Sequence, residues 1–132
     1  MQKLKVFKAK KIVHKNGKLI VFQESNDIKF NFKRVFIVNS NKSQIRGKHA
    51  HKKCIQLLNC PNGAVEIYFE NLSGNKSKII LSKPDQYLII PPLTWCVQKY
   101  LKNNSTLLVI CDQKYKDSDY IRSYKNFVNF KK

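Results

Sequence analysis

The sequence predicts an all-β chain folded as an antiparallel sandwich or barrel, with a short helix only near its end. Short strand-like segments follow one another at a spacing of roughly ten residues, as such architectures require. Turn residues (Asn, Gly, Pro and Ser) punctuate them. One segment shows strict period two: Val65, Ile67 and Phe69 alternate with Glu66, Tyr68 and Glu70, the pattern of a half-buried strand. The 132 residues fit a single domain over 1–132, with no internal repeat or low-complexity linker, and 42% hydrophobic residues suffice for a core.

Taken in order, Lys10 to Lys15 and Lys18 to Phe22 flank Asn16-Gly17. That pair supplies the two positive-φ residues of a type I′ turn, so a hairpin is expected, with His14 as a solvated residue beside it. Phe30-Asn31-Phe32 and Arg34 to Val38 read as a strand pair or one long strand, and Asn39 to Ser43 as a polar loop. Arg46 to His51 is the next strand, expected to continue through Ile55 to Leu58 until Pro61-Asn62-Gly63 turns it. Ala64 to Glu70 is followed by a turn at Ser73-Gly74-Asn75, and Lys78 to Leu81 pairs back. Pro91-Pro92 stops the strand Tyr87 to Ile90, and Lys102-Asn103-Asn104 joins Cys96–Leu101 to Ser105–Cys111. Asp117 or Ser118 is expected to cap the helix, whose Ile121, Tyr124, Phe127 and Val128 recur at helical spacing.

The formal net charge of +18 raises the question of a nucleic-acid partner. The arginines are only Arg34, Arg46 and Arg122, and the lysines scatter from Lys3 to Lys132 rather than forming one basic block. A diffuse positive field of this kind suits capture of a phosphorylated small molecule and argues against a nucleic-acid surface. Cys54, Cys60, Cys96 and Cys111 lie in apolar runs without C-x-x-C spacing, so neither a disulfide framework nor a zinc knuckle is indicated. The basic, interrupted start lacks a signal-peptide pattern, and no apolar run approaches the ~20 residues of a membrane span. A reduced, cytoplasmic protein with no membrane partner is the expectation.

Two of the three histidines, His49 and His51, stand one residue apart. On a strand such residues share a face, so two imidazoles lie side by side, with Arg46 and Gly47 just upstream. Neutral imidazole titrates near ~6.5, and the pair suits proton exchange at cellular pH or metal ligation equally.

His49-x-His51, Gln56 and Gly63 resemble the first motif of the cupins, with Gln56 where a glutamate is usual. Asp85 and Pro91 look like the start of the second, and Cys96 falls where a third histidine is common. Arg46-Gly47-x-His49-Ala50-His51, Pro92-x-x-Trp95 and Tyr115-x-x-x-Asp119-Tyr120-Ile121-Arg122-x-Tyr124 together resemble the sugar 3,4-ketoisomerase family within the cupins, from Lys8 to Phe127. The resemblance implies a cupin-type double-stranded β-helix, or jelly roll. It also implies an isomerase of nucleotide-sugar biosynthesis that moves the ketone of dTDP-4-keto-6-deoxyglucose from C4 to C3. The likeness departs at Phe36-Ile37, where relatives often carry two tyrosines.

That reaction needs a base at C3, a proton carrier toward C4 and a holder for the developing oxyanion, with no cofactor. His51 is read as the base and His49 as the group moving protons among the oxygens. Arg46 is the pyrophosphate or oxyanion partner, or a surface ion-pair residue. Arg122 has the same two readings. Gln56 faces the cavity or satisfies the core, and Trp95 is a pocket wall against thymine or sugar, or a buried core residue. With Gln56 and Cys96 at the positions that complete a metal cage, no metal is expected. A metal-dependent cupin enzyme and a non-enzymatic sugar- or nucleic-acid-binding module are the alternatives. The resemblance further implies a homodimer through sheet pairing, with the N-terminal hairpin as a candidate edge.

Overall fold

The computed structural model describes residues 4–130. Its strands are β1 (Phe7–Lys8), β2 (Lys10–His14), β3 (Gly17–Val21), β4 (Arg34–Ser40), β5 (Ile45–His51) and β6 (Gln56–Asn62). There follow β7 (Val65–Asn71), β8 (Lys76–Leu81), β9 (Gln86–Ile90), β10 (Thr94–Tyr100), β11 (Ser105–Cys111) and β12 (Tyr120–Ile121), then helix α1 (Tyr124–Val128). Two five-stranded sheets form, in the orders β1-β9-β6-β11-β4 and β12-β5-β10-β7-β8. All pairings are antiparallel. The chain crosses between sheets from β4 to β5, β5 to β6, β6 to β7, β8 to β9, β9 to β10, β10 to β11 and β11 to β12, which is the winding of a jelly roll.

The inner faces meet in a core of Leu58, Val65, Ile67, Leu81, Leu88, Tyr100, Leu107 and Val109, all essentially without exposure. Two smaller clusters cover the outer faces. Ala50, Leu93, Trp95, Ile121 and Phe127 pack beneath the C-terminal segment, and Ile28, Leu57, Tyr87 and Ile110 pack beneath the chain that precedes β4. The four cysteines are buried and unpaired.

Four local expectations are corrected. The β2–β3 register pairs His14 with Gly17, so Lys15-Asn16 makes the turn and Asn16 has no positive φ. Gly17, at φ +150°, supplies its freedom just after the turn. Phe30 and Phe32 lie outside any strand, their rings 5.5 Å apart.

The histidine strand ends at His51 instead of running on to Leu58. In the intervening loop the backbone N–H groups of Lys52 and Lys53 donate to Asp119, and that of Ile55 donates to the Asp112 carboxylate. These acceptors replace ladder partners and release β6 to join the opposite sheet.

The expected helix start is divided. Asp117–Asp119 forms one 3-10 turn, and Tyr120–Ile121 adds a short strand to β5, opposite His51 and Ala50. Only then does Ser123 cap α1, its hydroxyl accepting from the Asn126 N–H at 3.2 Å. Ile121 and Phe127 share one buried cluster without sharing a helix.

Candidate active site

The site is built on an irregularity in β5. Cys96 of β10 pairs with His49, but Val97 pairs with Gly47 and Gln98 with Arg46, which leaves Lys48 out of the ladder. Gly47 at φ +85° and Lys48 at φ +60° carry this bulge. A side chain on Gly47 would meet the Cys96 carbonyl oxygen at 3.0 Å. Strict alternation would turn Arg46 and His49, three residues apart, to opposite faces; the extra residue returns Arg46 to the histidine face.

Arg46, His49 and Arg122 line a cavity of about 310 Å³, facing Gln56 and Phe36 from the other sheet. Tyr115, Tyr120 and Gln98 complete its polar wall. His51 lies one layer deeper. Its ring centroid is 4.3 Å from that of Tyr120 and 5.0 Å from that of His49, and the two imidazoles stand nearly perpendicular.

His51 Nδ1 is 2.9 Å from Asp119 Oδ2. An ionised carboxylate only accepts, so Nδ1 carries the proton and Nε2 keeps the lone pair. That Nε2 is buried and has no hydrogen-bond partner. The other Asp119 oxygen accepts the Lys53 N–H at 2.7 Å, which fixes the carboxylate. Burial, reinforced by the neighbouring His51, lowers the His49 pKa to about 4. Burial also lowers that of His51, against the opposing pull of Asp119. Both rings are neutral near pH 7.

The remaining expected residues divide. Gln56 reaches the cavity from β6, and its amide donates to Cys111 Sγ at 3.6 Å. Arg122 borders the cavity with its guanidinium 4.1 Å from the Tyr120 ring centroid and 3.1 Å from the exposed Asp117 carboxylate. Trp95 is not on the cavity wall. It points out of the opposite side of β10 from Cys96 and packs against Tyr124 and Phe127 at ring distances of 5.5 and 5.7 Å. Period-two alternation is the reason, because Cys96 takes the inner face. The cage positions make poor metal ligands: Gln56 is engaged with Cys111, and Cys96 is packed into the apolar core between the sheets.

The structure adds residues to which the sequence reading assigned no part in the chemistry. Asp119 orients His51, and the Tyr120 ring touches both imidazoles. Both lie in the Asp119-Tyr120-Ile121-Arg122 stretch, which was the only available signal. Arg34, on β4, donates to Cys111 Sγ at 3.5 Å and interacts with the Tyr120 hydroxyl. Hydrogen bonds from the Cys54 thiol, Gln56 and Arg34 together hold the Cys111 thiol below the ordinary thiol value. Tyr115 also borders a second cavity of about 400 Å³ beside the first, where Lys33, Lys53, Lys114 and Lys116 outnumber the carboxylates of Asp112 and Asp119.

Comparison with known proteins places the chain in a family. The family described as FdtA, WxcM-like, C-terminal, matches residues 2–132. TDP-4-oxo-6-deoxy-alpha-D-glucose-3,4-oxoisomerase of Aneurinibacillus thermoaerophilus is 34% identical over 128 residues, covering 96% of this chain and 91% of that protein. The sugar 3,4-ketoisomerase QdtA of Thermoanaerobacterium thermosaccharolyticum, solved in complex with TDP, superposes with a TM-score of 0.89 at 34% identity, over 96% of this chain and 92% of that one. A histidine-to-asparagine mutant of QdtA, solved with TDP-4-keto-6-deoxyglucose, gives a TM-score of 0.90 at 32% identity, over 98% and 94%. With its jelly-roll fold and histidine-lined cavity, the chain belongs to the FdtA/WxcM-like family of sugar 3,4-ketoisomerases.

Proposed function

We propose that this chain is a 3,4-ketoisomerase of a dTDP-4-keto-6-deoxyhexose in nucleotide-sugar biosynthesis, working by histidine proton transfer. The observation that carries the mechanism is the His51–Asp119 pair, which leaves a buried, unpartnered Nε2 lone pair beside His49. His51 takes the C3 proton, and the electrons of that C–H bond form the C3–C4 double bond of an enediolate. A proton returns to C4. His49 moves the O3 proton to O4, which leaves the ketone at C3 and a hydroxyl at C4. General acid–base groups of this kind contribute ~10²–10⁴-fold each.

Arg46 and Arg122, at the mouth of the cavity, hold the diphosphate, with the neighbouring lysines adding to the attractive field. Gln56 holds a sugar hydroxyl. The scattered lysines support a phosphorylated small molecule rather than nucleic acid as the partner. Four unpaired cysteines suit a reducing, cytoplasmic setting, and among the described residues no helix is long and apolar enough to cross a membrane.

The working form is a homodimer. Val35 and Ile37, on the outer face of edge strand β4, and Val13 and Leu19, on the detached hairpin, are more than half exposed and support pairing through these strands. Sedimentation velocity is expected to give twice the chain mass; a monomer at micromolar concentration removes this part of the reading.

Incubation with dTDP-4-keto-6-deoxyglucose in D₂O tests the function. The expected product is the 3-keto isomer with deuterium at C4. Absence of conversion of this and related 4-keto nucleotide sugars by folded protein would overturn the assignment.

A further inference from the structure

Behind the histidine base lies a cluster that the isomerisation does not use in full. Among the described residues, His51, Cys54 and Asp119 bring one nitrogen, one sulfur and one oxygen within 4.8 Å of one another. They come from three segments: the end of β5, the loop leading to β6, and the 3-10 turn before β12. The turn is tied to the loop by the Lys52 and Lys53 N–H groups, which donate to the Asp119 carbonyl and carboxylate at 2.8 and 2.7 Å. His51 and Cys54 are buried, and the Asp119 side chain is only 12% exposed. The Cys111 sulfur lies in hydrogen-bonding contact with the Cys54 thiol, a second sulfur at the edge of the group.

We propose that His51, Cys54 and Asp119 form a binding site for a borderline-soft divalent cation, zinc above all, and that its occupation switches the histidine base off. Zinc takes thiolate, imidazole and carboxylate together, at about 2.3, 2.0 and 2.1 Å. A tetrahedral ion with such bonds needs ligands roughly 3.5 Å apart. The cluster therefore closes on one with side-chain shifts near an ångström, leaving the fourth position for water or Cys111. These are not the positions at which a cupin cage would stand: Gln56 and Cys96 take no part.

The consequence for the base follows from imidazole chemistry. His51 Nδ1, 2.9 Å from Asp119, is the nitrogen that faces the cluster. A cation there displaces the proton shared with the carboxylate. A neutral imidazole ligated through Nδ1 carries its remaining proton on Nε2, so the lone pair needed at C3 is gone. The Cys54 thiol proton leaves to solvent. The inhibitory half of the proposal rests on the isomerase reading above, and the binding half does not.

Cobalt(II) titration of the full chain reads binding without turnover. One equivalent is expected to give an intense near-ultraviolet thiolate-to-cobalt charge-transfer band, displaced by zinc and absent in Cys54→Ala and Cys54→Ser. In the turnover assay, one equivalent of zinc is expected to lower the rate about 100-fold, the scale of losing a general base. A chelator restores it, and the two Cys54 variants keep wild-type turnover and lose zinc sensitivity. A band that survives both substitutions, or the absence of any band in the wild-type chain, overturns the site. A normal band without loss of turnover overturns the switch. A protein that shows the band yet converts no keto sugar has failed the isomerase reading and not the binding site.

Discussion

At the scale of the residue, Asp119 decides which His51 nitrogen holds the proton and which the lone pair. Two substitutions separate these roles. His51→Asn removes the proposed base, and turnover is expected to vanish while the thermal unfolding midpoint stays near that of the wild type. Asp119→Asn leaves an imidazole whose tautomer is no longer dictated and whose protonated form has lost its counter-charge. Its kcat is expected to fall about 100-fold, within the range general base catalysis contributes. The pH profile carries the sharper signature. Burial already lowers the His51 pKa, and Asp119 is the group that raises it. The acid limb of kcat/KM should lie below the ordinary imidazole value in the wild type and move lower still in Asp119→Asn. An unmoved limb would make Asp119 a packing residue only.

At the scale of the element, Trp95 sits in the outer cluster under α1, away from the cavity. Trp95→Ala is expected to cost about 3–5 kcal/mol of stability, as large aromatic truncations do. KM for the nucleotide sugar should stay unchanged in the folded fraction; a large rise would return Trp95 to the site. This element also shows where the sequence was legible. Period two and turn residues located nearly every strand, because each rests on a local rule. The end of β5 at His51 was not legible, because its cause is a pair of carboxylates, Asp112 and Asp119, more than fifty residues away in the chain. Asp119 itself was visible only as a letter in a motif. Nothing local says that a turn following β11 folds back to a histidine on β5. Of the histidine pair, His49 shares the cavity with Arg46 while His51 lies behind it, and the bulge that brings Arg46 to this face leaves only a glycine as its trace.

At the scale of the whole molecule, the two neutral imidazoles link folding to pH. The His49 pKa is about 4 in the folded chain against an ordinary 6.5. Between these values the unfolded chain binds the proton and the folded chain does not, so stability rises with pH. The urea midpoint should therefore hold steady above about 6.5 and decline as pH falls toward 4, with His51 contributing in the same direction. Replacing both histidines with asparagine should flatten this decline; a decline of unchanged depth would assign it to the carboxylates instead.

The bulge in β5 has a meaning in terms of reading frame. A strand has a parity, odd or even, and Lys48 is an insertion that the left-handed backbone at Gly47 and Lys48 corrects before it reaches Arg46. Gly47→Val penalises that correction and favours a regular strand, in which Arg46 faces solvent while β12 still holds the histidines in place. KM should then rise roughly tenfold to a hundredfold, the equivalent of charge-assisted hydrogen bonds worth about 1.5–3 kcal/mol. Deleting Lys48 from the same variant removes the extra residue and with it the need for correction, so it should act as an intragenic suppressor and bring KM back.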